Sequence, residues 1–537
     1  MKRSILLAIL NLIFIFPLFS QPTTWQWAMS AGGISYSEGK DVVADANGNV
    51  YATGYYINDT IQFGNFQLLN SGSADIYLVK FDPAGNVLNA FHISNSGAEF
   101  GQGIALDGNG NLYITGHFTD SLFSIGAVVL TSYGEEDGFI AKYDTAGNFI
   151  WARNFGGIND DQAMSLDVDL NGNCVVTGVF NSPLLNFGGF QVLNPIPSTL
   201  NQYFIARYDA SGNAIWGAAG GSSLGDFGNA AAIDGSGNAY IAGALIPSSD
   251  LQLFVSKYNS SGTLLWTQVA TGNGNNRAYG MDVDNLGNVY IAGEFRGTTC
   301  TIGGQTLTNS GGSGLNSDLL LIKLDSNGTV IWAKSEGENF SADNAKAVEV
   351  DQFGNIYISG EFSATTFNFG PSVLTNNGVS DVYIACYSPA GTVLWANSGG
   401  GPSQEIVHGI AVDGLGGVTS TGSNKIGTLH FGNIIINVPT GNSNVCIAKL
   451  NYLTGIDNVS ISNSHWNLFP NPTIGNITIM GTEAINKIEV YDVTGRLISV
   501  QLLNTEHFTF NIQQKGLLFV KVYNMDTVLN FKVLSIQ

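Results

Sequence analysis

The sequence predicts an all-β fold: a seven-bladed β-propeller of four-stranded blades, closed by an N-terminal strand and followed by a small Ig-like β-sandwich. Three observations carry this. A stretch of the form DGNGNLYITG, starting at Asp107, returns from Asp45, Asp169, Asp234, Asp284, Asp351 and Asp413. A repeat of that kind decides the architecture before any local reading. A Trp follows each unit at Trp27, Trp151, Trp216, Trp266, Trp332 and Trp395, with Asn89 in the remaining slot, at intervals of 62, 62, 65, 50, 66 and 63 residues. The composition agrees: 68 Gly and 11% charged residues in 537 suit many short strands and turns.

Residues 1–20 read as a signal peptide. Lys2 and Arg3 precede an apolar run from Ile5 to Phe19, too short for a comfortable membrane span, and a cut after Ser20 leaves Gln21 first. No later stretch is apolar enough for a bilayer helix. The net charge of -21 argues against nucleic acid and against an anionic membrane surface.

Each unit then runs through four short strands. Around Asp107, the apolar run Gly103 to Leu106 leads into a turn in which Asp accepts backbone N–H groups and Gly110 takes the left-handed conformation. The alternating strand from Leu112 to Phe118 follows, then an arm of about 18 residues. The strand Phe139 to Tyr143, the turn Asp144-Thr-Ala-Gly147 and the Trp151 strand complete the unit. The second turn recurs at Asp82–Gly85, Asp209–Gly212, Asn259–Gly262, Asp325–Gly328 and Ser388–Gly391, with a looser form near Asn451. One such sheet cannot bury both faces, whereas a closed ring can.

The register of the ends predicts how the ring closes. The chain enters on a Trp27 strand with nothing before it and leaves the repeats at Leu450, one strand short. The N-terminal strand is therefore expected to be the outer strand of blade seven. These motifs, D-x-x-G-N-x-Y-x-x-G followed by D-x-[YF]-[IV]-A-K-Y-D-x-x-G and a Trp strand, resemble the bacterial β-propeller repeat family known as SBBP, over residues 22–455. The seventh copy departs most, with Gly417 for the turn Asn and Thr419 for Tyr. The family is a scaffold with no common activity.

A polar linker at 456–465 precedes a change of composition. Residues 466–537 read as a sandwich of about seven strands. The opening Phe469-Pro470-Asn471-Pro472-Thr473-x-Gly475, the hairpin ending Tyr491-Asp492-x-x-Gly495-Arg496 and the strand from Gly516 closely resemble the C-terminal sorting domain of the type IX secretion system of Bacteroidetes. Phe469 and Leu518 stand where that family has Tyr, and Lys532 makes a thin basic tail. The resemblance implies export across both membranes with this domain as the address recognised by the translocon, its removal afterwards, and a mature chain secreted or attached to the outer-membrane surface.

Chemistry is sparse. No HExxH, GxSxG, P-loop or strand-to-helix GxGxxG is present. His117 follows a repeat Gly and is expected to face a neighbouring arm. The turns lack the distal acid of a calcium loop. Cys174, Cys300, Cys386 and Cys446 form no framework; Cys174 and Cys446 read as small buried hydrophobes, and a Cys386–Cys446 bridge stays open. One position is less routine: two residues before each turn Asp stand Val43, Ala105, Asp167, Ala232, Asp282, Glu349 and Ala411. On an innermost strand, Asp167, Asp282 and Glu349 point toward the channel or the blade seams. There they either hold a cation, calcium being the one cofactor in view, or line a wet channel.

Both recurring turns lie on one face, so the arms and the Gly-rich joins lie on the other, where loops on a rigid scaffold usually bind. Phe63, Phe66, Phe187, Phe190, Phe367 and Phe369 on the arms either stack on a sugar or peptide or fold back onto the blades. The reading that results is a monomeric, non-enzymatic surface or secreted protein that binds glycan or protein. The alternatives are a polysaccharide lyase or hydrolase with channel acids, and a structural matrix protein.

Overall fold

The structure is a computed structural model, described over residues 23–57, 60–196, 200–222, 224–311, 316–438, 441–452, 466–469, 476–492, 497–511, 516–523 and 528–535. The segment read as a signal peptide and the linker at 456–465 lie outside the described residues. The chain divides between Tyr452 and Leu453 into two compact units.

Among its described residues the first unit contains seven four-stranded antiparallel sheets. Their inner strands are Tyr36–Ala44, Glu99–Leu106, Asp161–Val168, Phe227–Ile233, Asn276–Val283, Asn344–Val350 and Glu405–Val412. Each of its seven apolar clusters draws on two adjacent sheets, so the core is the set of seams between blades. One cluster, with Trp27, Val42, Ala411 and Val445, joins blade seven to blade one and closes the ring. The closing strand is the N-terminal one. Thr23–Ala31 pairs antiparallel with Asn444–Tyr452, Ala28 opposite Ala448 and Ala31 opposite Val445.

The repeat residues explain themselves in this frame. Asp107 Oδ1 accepts the N–H groups of Asn109 and Asn111 at 2.9 and 2.8 Å, and its Oδ2 takes the Asn111 amide at 2.8 Å. Gly110 sits at φ 77°, where a side chain would be strained. The motif Tyr113 hydroxyl donates to Gly172 O in the next blade at 2.9 Å, and Lys142 from the third strand reaches Asp107 at 3.3 Å. Blade seven has lost the Asn and the Tyr. There Lys449 comes directly onto Asp413 at 2.6 Å and donates to Gly48 O of blade one at 3.0 Å.

The outer-strand Trp is a rivet between blades. The indole N–H of Trp27, Trp151, Trp216 and Trp266 donates to Pro83 O, Ala210 O, Ser260 O and Ser326 O at 3.1–3.2 Å, each the second residue of the next blade's outer turn. Asn89 does the same work with its amide, donating to Ala146 O at 3.4 Å. In the arms, Phe63, Ile302, Phe369 and Phe431 anchor hairpins to the blade at 0% exposure, and the following Gly makes the turn.

The second unit is one sheet among its described residues: Trp466–Phe469, Asn476–Asp492, Leu497–Asn511, Gly516–Tyr523 and Val528–Ser535. About seven strands were expected and five are found. The 17-residue strand Asn476–Asp492 pairs along its length with Leu497–Asn511, and separately with a different partner at each half. Two average strands have fused into one. Register shifts near Ile485 switch the inward face, so Ile477, Ile479 and Ile485 are buried before the shift and Ile488 and Val490 after it. Leu518, where the sorting family has Tyr, is buried in this core. Tyr491 and Asp492 end the long strand and Gly516 opens its partner. Pro470, Asn471, Pro472, Gly475, Gly495 and Arg496 lie outside the described residues.

Candidate functional site

Every inner strand carries a β-bulge at the same place, five residues before the turn Asp. The ladder skips between Gly39 and Asp41, Gly101 and Gly103, Ala163 and Ser165, Gly228 and Ala230, Ala278 and Gly280, Ala345 and Ala347, and Val407 and Gly409. A bulge leaves one residue outside the pairing and re-aims its side chain. The seven residues so released are Lys40, Gln102, Met164, Asn229, Tyr279, Lys346 and His408. All are half-buried, and all line one axial cavity of about 970 Å³. Sequence reasoning missed this ring. Its signal was present as a variable residue between two small ones, as in Gly101-Gln102-Gly103 and Ala345-Lys346-Ala347.

The basic side chains of the ring, Lys346, His408 and Lys40, fall on three consecutive blades. Two of them converge on Glu38, which pairs with Lys40 at 3.1 Å and with His408 Nε2 and accepts the hydroxyls of Tyr36 and Tyr55 at 3.0 and 2.7 Å. Burial alone would raise the Glu38 carboxyl, but His408, Lys40 and Tyr55 outweigh it and hold it well below the usual range. Burial lowers the His408 pKa, with Glu38 opposing. Lys346 instead lies 3.6 Å over the ring of Tyr279, a cation–π contact, and the Tyr279 hydroxyl donates to Glu294 at 2.9 Å.

The predicted acids do line this cavity, together with Asp41. They are not gathered into a metal centre: no group of three His, Cys, Asp or Glu side chains among the described residues is placed to hold an ion. Each instead staples its blade to the next. Asp167 accepts Ile233 N at 2.8 Å, Asp282 accepts Val350 N at 2.7 Å, Glu349 accepts Val412 N at 2.9 Å and Asp41 accepts Ile104 N at 3.0 Å. Those amides partly offset the cost of burial, which still pushes Asp41 and Asp282 up to about 7 and Asp167 up to about 6. Glu349 is raised by burial first and then by Asp282, Asp41 and Asp167.

The sign of the pH effect follows. A carboxyl whose folded pKa lies above its unfolded value, about 3.9 for Asp, opposes folding once ionised. The contribution of Asp41, Asp167 and Asp282 to stability is therefore full below about pH 4, declines as the pH rises toward 7 and is level above. The protein should melt higher at pH 5 than at pH 8. Asp282→Asn should shrink that difference by roughly 1–3 °C; calorimetry of both proteins at the two pH values checks it.

Of the two readings of the arm aromatics, they take the second and fold back onto the blades. Phe63, Phe367 and Phe369 are fully buried, Phe187 nearly so, and Phe66 and Phe190 pack against the same seam clusters. They fold back onto the blades because each arm is a bare two-stranded hairpin with no other way to cover its apolar side. They offer no stacking platform. His117 faces no arm: it stacks on its cross-strand partner Phe100 at 4.9 Å, and burial drops its pKa to about 3. None of the four cysteines is in a disulfide among the described residues; Cys446 packs against the cluster that holds Cys386 without a bridge to it, and is half-buried rather than buried.

Comparison with known proteins follows the two units. Residues 93–121 match the β-propeller repeat family SBBP, and residues 467–536 match the secretion system C-terminal sorting domain. The chain is 25% identical over 448 residues to an uncharacterized WD repeat-containing protein of Acanthamoeba polyphaga mimivirus, covering 72% of this chain and 30% of that one. It is 30% identical over 110 residues to the regulatory protein FlaEY of Caulobacter vibrioides, covering 20% and 12%. The chain thus spans a third or less of the length of these relatives. Among solved structures, the Neurospora crassa Pan2 WD40 domain overlays with a TM-score of 0.38 at 10% identity, over 80% of this chain and 96% of that one. A puromycin hydrolase gives 0.38 at 10% over 91% and 57%. The sorting domain implies interaction with the type IX secretion system and export to the cell surface or beyond. No helix among the described residues is long and apolar enough to cross a membrane.

Proposed function

We propose, for a chain that carries a β-propeller repeat and a secretion sorting domain, that it is an exported, non-catalytic binding protein whose ligand is read by the bulge ring in the channel. The supporting observation is the contrast between frame and ring. Turn Asp, turn Gly and Trp recur from blade to blade, while the bulge position holds Lys, Gln, Met, Asn, Tyr, Lys and His. A scaffold that holds its frame and varies the one residue it aims inward suits recognition of an irregular polar ligand. A cavity of about 970 Å³ with donors, acceptors and the rings of Tyr279, Tyr290 and Phe353 fits a short glycan better than a flat protein epitope. The channel acids already accept amides from the next blade, which disfavours their use as an acid–base pair.

A glycan and peptide array probed with the chain lacking residues 1–20 tests this. Glycan hits are expected, and Lys346→Ala with Tyr279→Ala should weaken the best of them at least tenfold in Kd. Turnover of a hit would favour an enzyme; silence on both arrays would favour a structural role.

A further inference from the structure

Each blade junction sets two side chains next to each other. One heads the third strand of a blade and the other stands near the head of the next blade's inner strand. Parallel bridges Ala74↔Ala98 and Ser380↔Gln404 directly precede two of these pairs, and Glu405 N donates to Ser380 O at 3.0 Å. Between blades four and five the pair is Gln252 and Asn276, and the Asn276 amide donates to Gln252 Oε1 at 3.1 Å. That junction shows what the position requires: a donor between two facing side chains.

Between blades one and two the pair is Asp75 and Glu99; between blades six and seven it is Asp381 and Glu405. All four are 0–2% exposed. One oxygen of each is occupied by loop donors: Ser71 N on Asp75 at 2.9 Å, Asn95 N on Glu99 at 3.0 Å, Asn377 N on Asp381 at 3.1 Å and Gly401 N on Glu405 at 2.9 Å. The other oxygens, Asp75 Oδ1, Glu99 Oε1, Asp381 Oδ1 and Glu405 Oε1, are buried and accept no hydrogen bond among the described residues. At the acidic junctions Asp137–Asp161 and Asp318–Asp343 a serine hydroxyl supplies one member with a donor, Ser182 to Asp161 at 2.7 Å and Ser310 to Asp318 at 2.9 Å, while Asp137 Oδ1 accepts no hydrogen bond among the described residues.

We infer that Asp381–Glu405 holds one proton between its facing oxygens, and that Glu99 shares one with the carboxyls beside it, Asp75 and Asp120, in place of the amide that bridges Gln252 and Asn276. Two buried carboxylates side by side with no donor between them would not both stay ionised. The loop groups around them are N–H donors, which suit a shared proton; a hard cation would need six to eight oxygens. Other titratable groups face the pairs. His92 lies 3.7 Å from Asp75 and the Tyr56 hydroxyl 3.4 Å; Asp120 faces Glu99, and the Cys446 thiol faces Glu405. Burial raises Glu99 to about 9, with Asp120 and Asp75 adding, and Glu405 to about 7, with Asp381 adding. The two pairs flank the blades that the clasp joins. Loss of their protons at alkaline pH would set like charges against each other on both sides of the ring's closure.

The test uses the chain lacking residues 1–20. Its infrared spectrum at pH 7 should show a buried protonated-carboxyl C=O band that weakens in Glu405→Gln and in Glu99→Gln. Each Gln supplies the missing N–H, so each variant should melt level with the parent at pH 6 and roughly 1–3 °C above it at pH 9. The two variants read separate junctions, so poor folding of one leaves the other as the measure. Unchanged pH dependence in the variants with no loss of the band overturns the inference. So does calcium raising the parent's melting temperature at pH 9 but not that of the variants, which would put a cation where we place the proton.

Discussion

Deleting residues 23–31 should open the ring. Those residues pair with Asn444–Tyr452 at the far end of the unit, and without them that strand becomes an unpaired edge. Trp25 and Trp27 would leave their seams, where each is 8% exposed. Trp27 also stacks on Phe81 at 5.4 Å and rivets Pro83. A large-to-small change at one such Trp costs about 3–5 kcal/mol, comparable to much of a domain's net stability of about 5–15 kcal/mol. The truncated protein is expected to melt far lower and to aggregate on size exclusion. The complementary experiment needs one substitution, because Ser30 lies opposite the native Cys446. Ser30→Cys should form an intramolecular disulfide under oxidising conditions and stabilise by about 2–4 kcal/mol. A truncated chain that melts like the parent, or a crosslink found only between molecules, would contradict the clasp.

Removing residues 466–537 should have an all-or-none effect of a different kind. The chain divides at Tyr452, and each unit has an apolar core of its own. The shortened protein is therefore expected to fold, resist protease and remain in the periplasm of a host with the secretion system. Fractionation followed by limited proteolysis separates a sorting defect from a folding defect. The shortened protein outside the cell would show that the address lies elsewhere.

The ring was legible in the sequence because its signals are local or periodic. A turn Asp and its Gly lie within a few residues of each other, and the Trp spacing reports one blade per interval. The clasp followed from counting strands at the two ends. The candidate site was legible only in part. Asp167, Asp282 and Glu349 were found because they share a repeat position, but their partners, 63 to 68 residues away, sit on the next blade and leave no mark in the sequence. The bulge ring was missed because alternation gives the face of a residue only while the register holds, and a bulge breaks the register. Phe63 and Phe369 read the same whether they cover a hairpin or meet a ligand; burial alone decides. In the second unit, a strand long enough to serve in two places cannot be told from two strands by pattern.

The bulge has one more consequence. Its residue stands outside the ladder register and packs in no seam cluster, so the turns, rivets and seams that build the ring make little demand on what stands there. Seven positions around one axis can change identity singly or together while the turns, rivets and clasp go on specifying the same ring. The protein thus separates the part of its sequence that must be obeyed from the part that can be rewritten, and new binding preferences would cost it little in foldability.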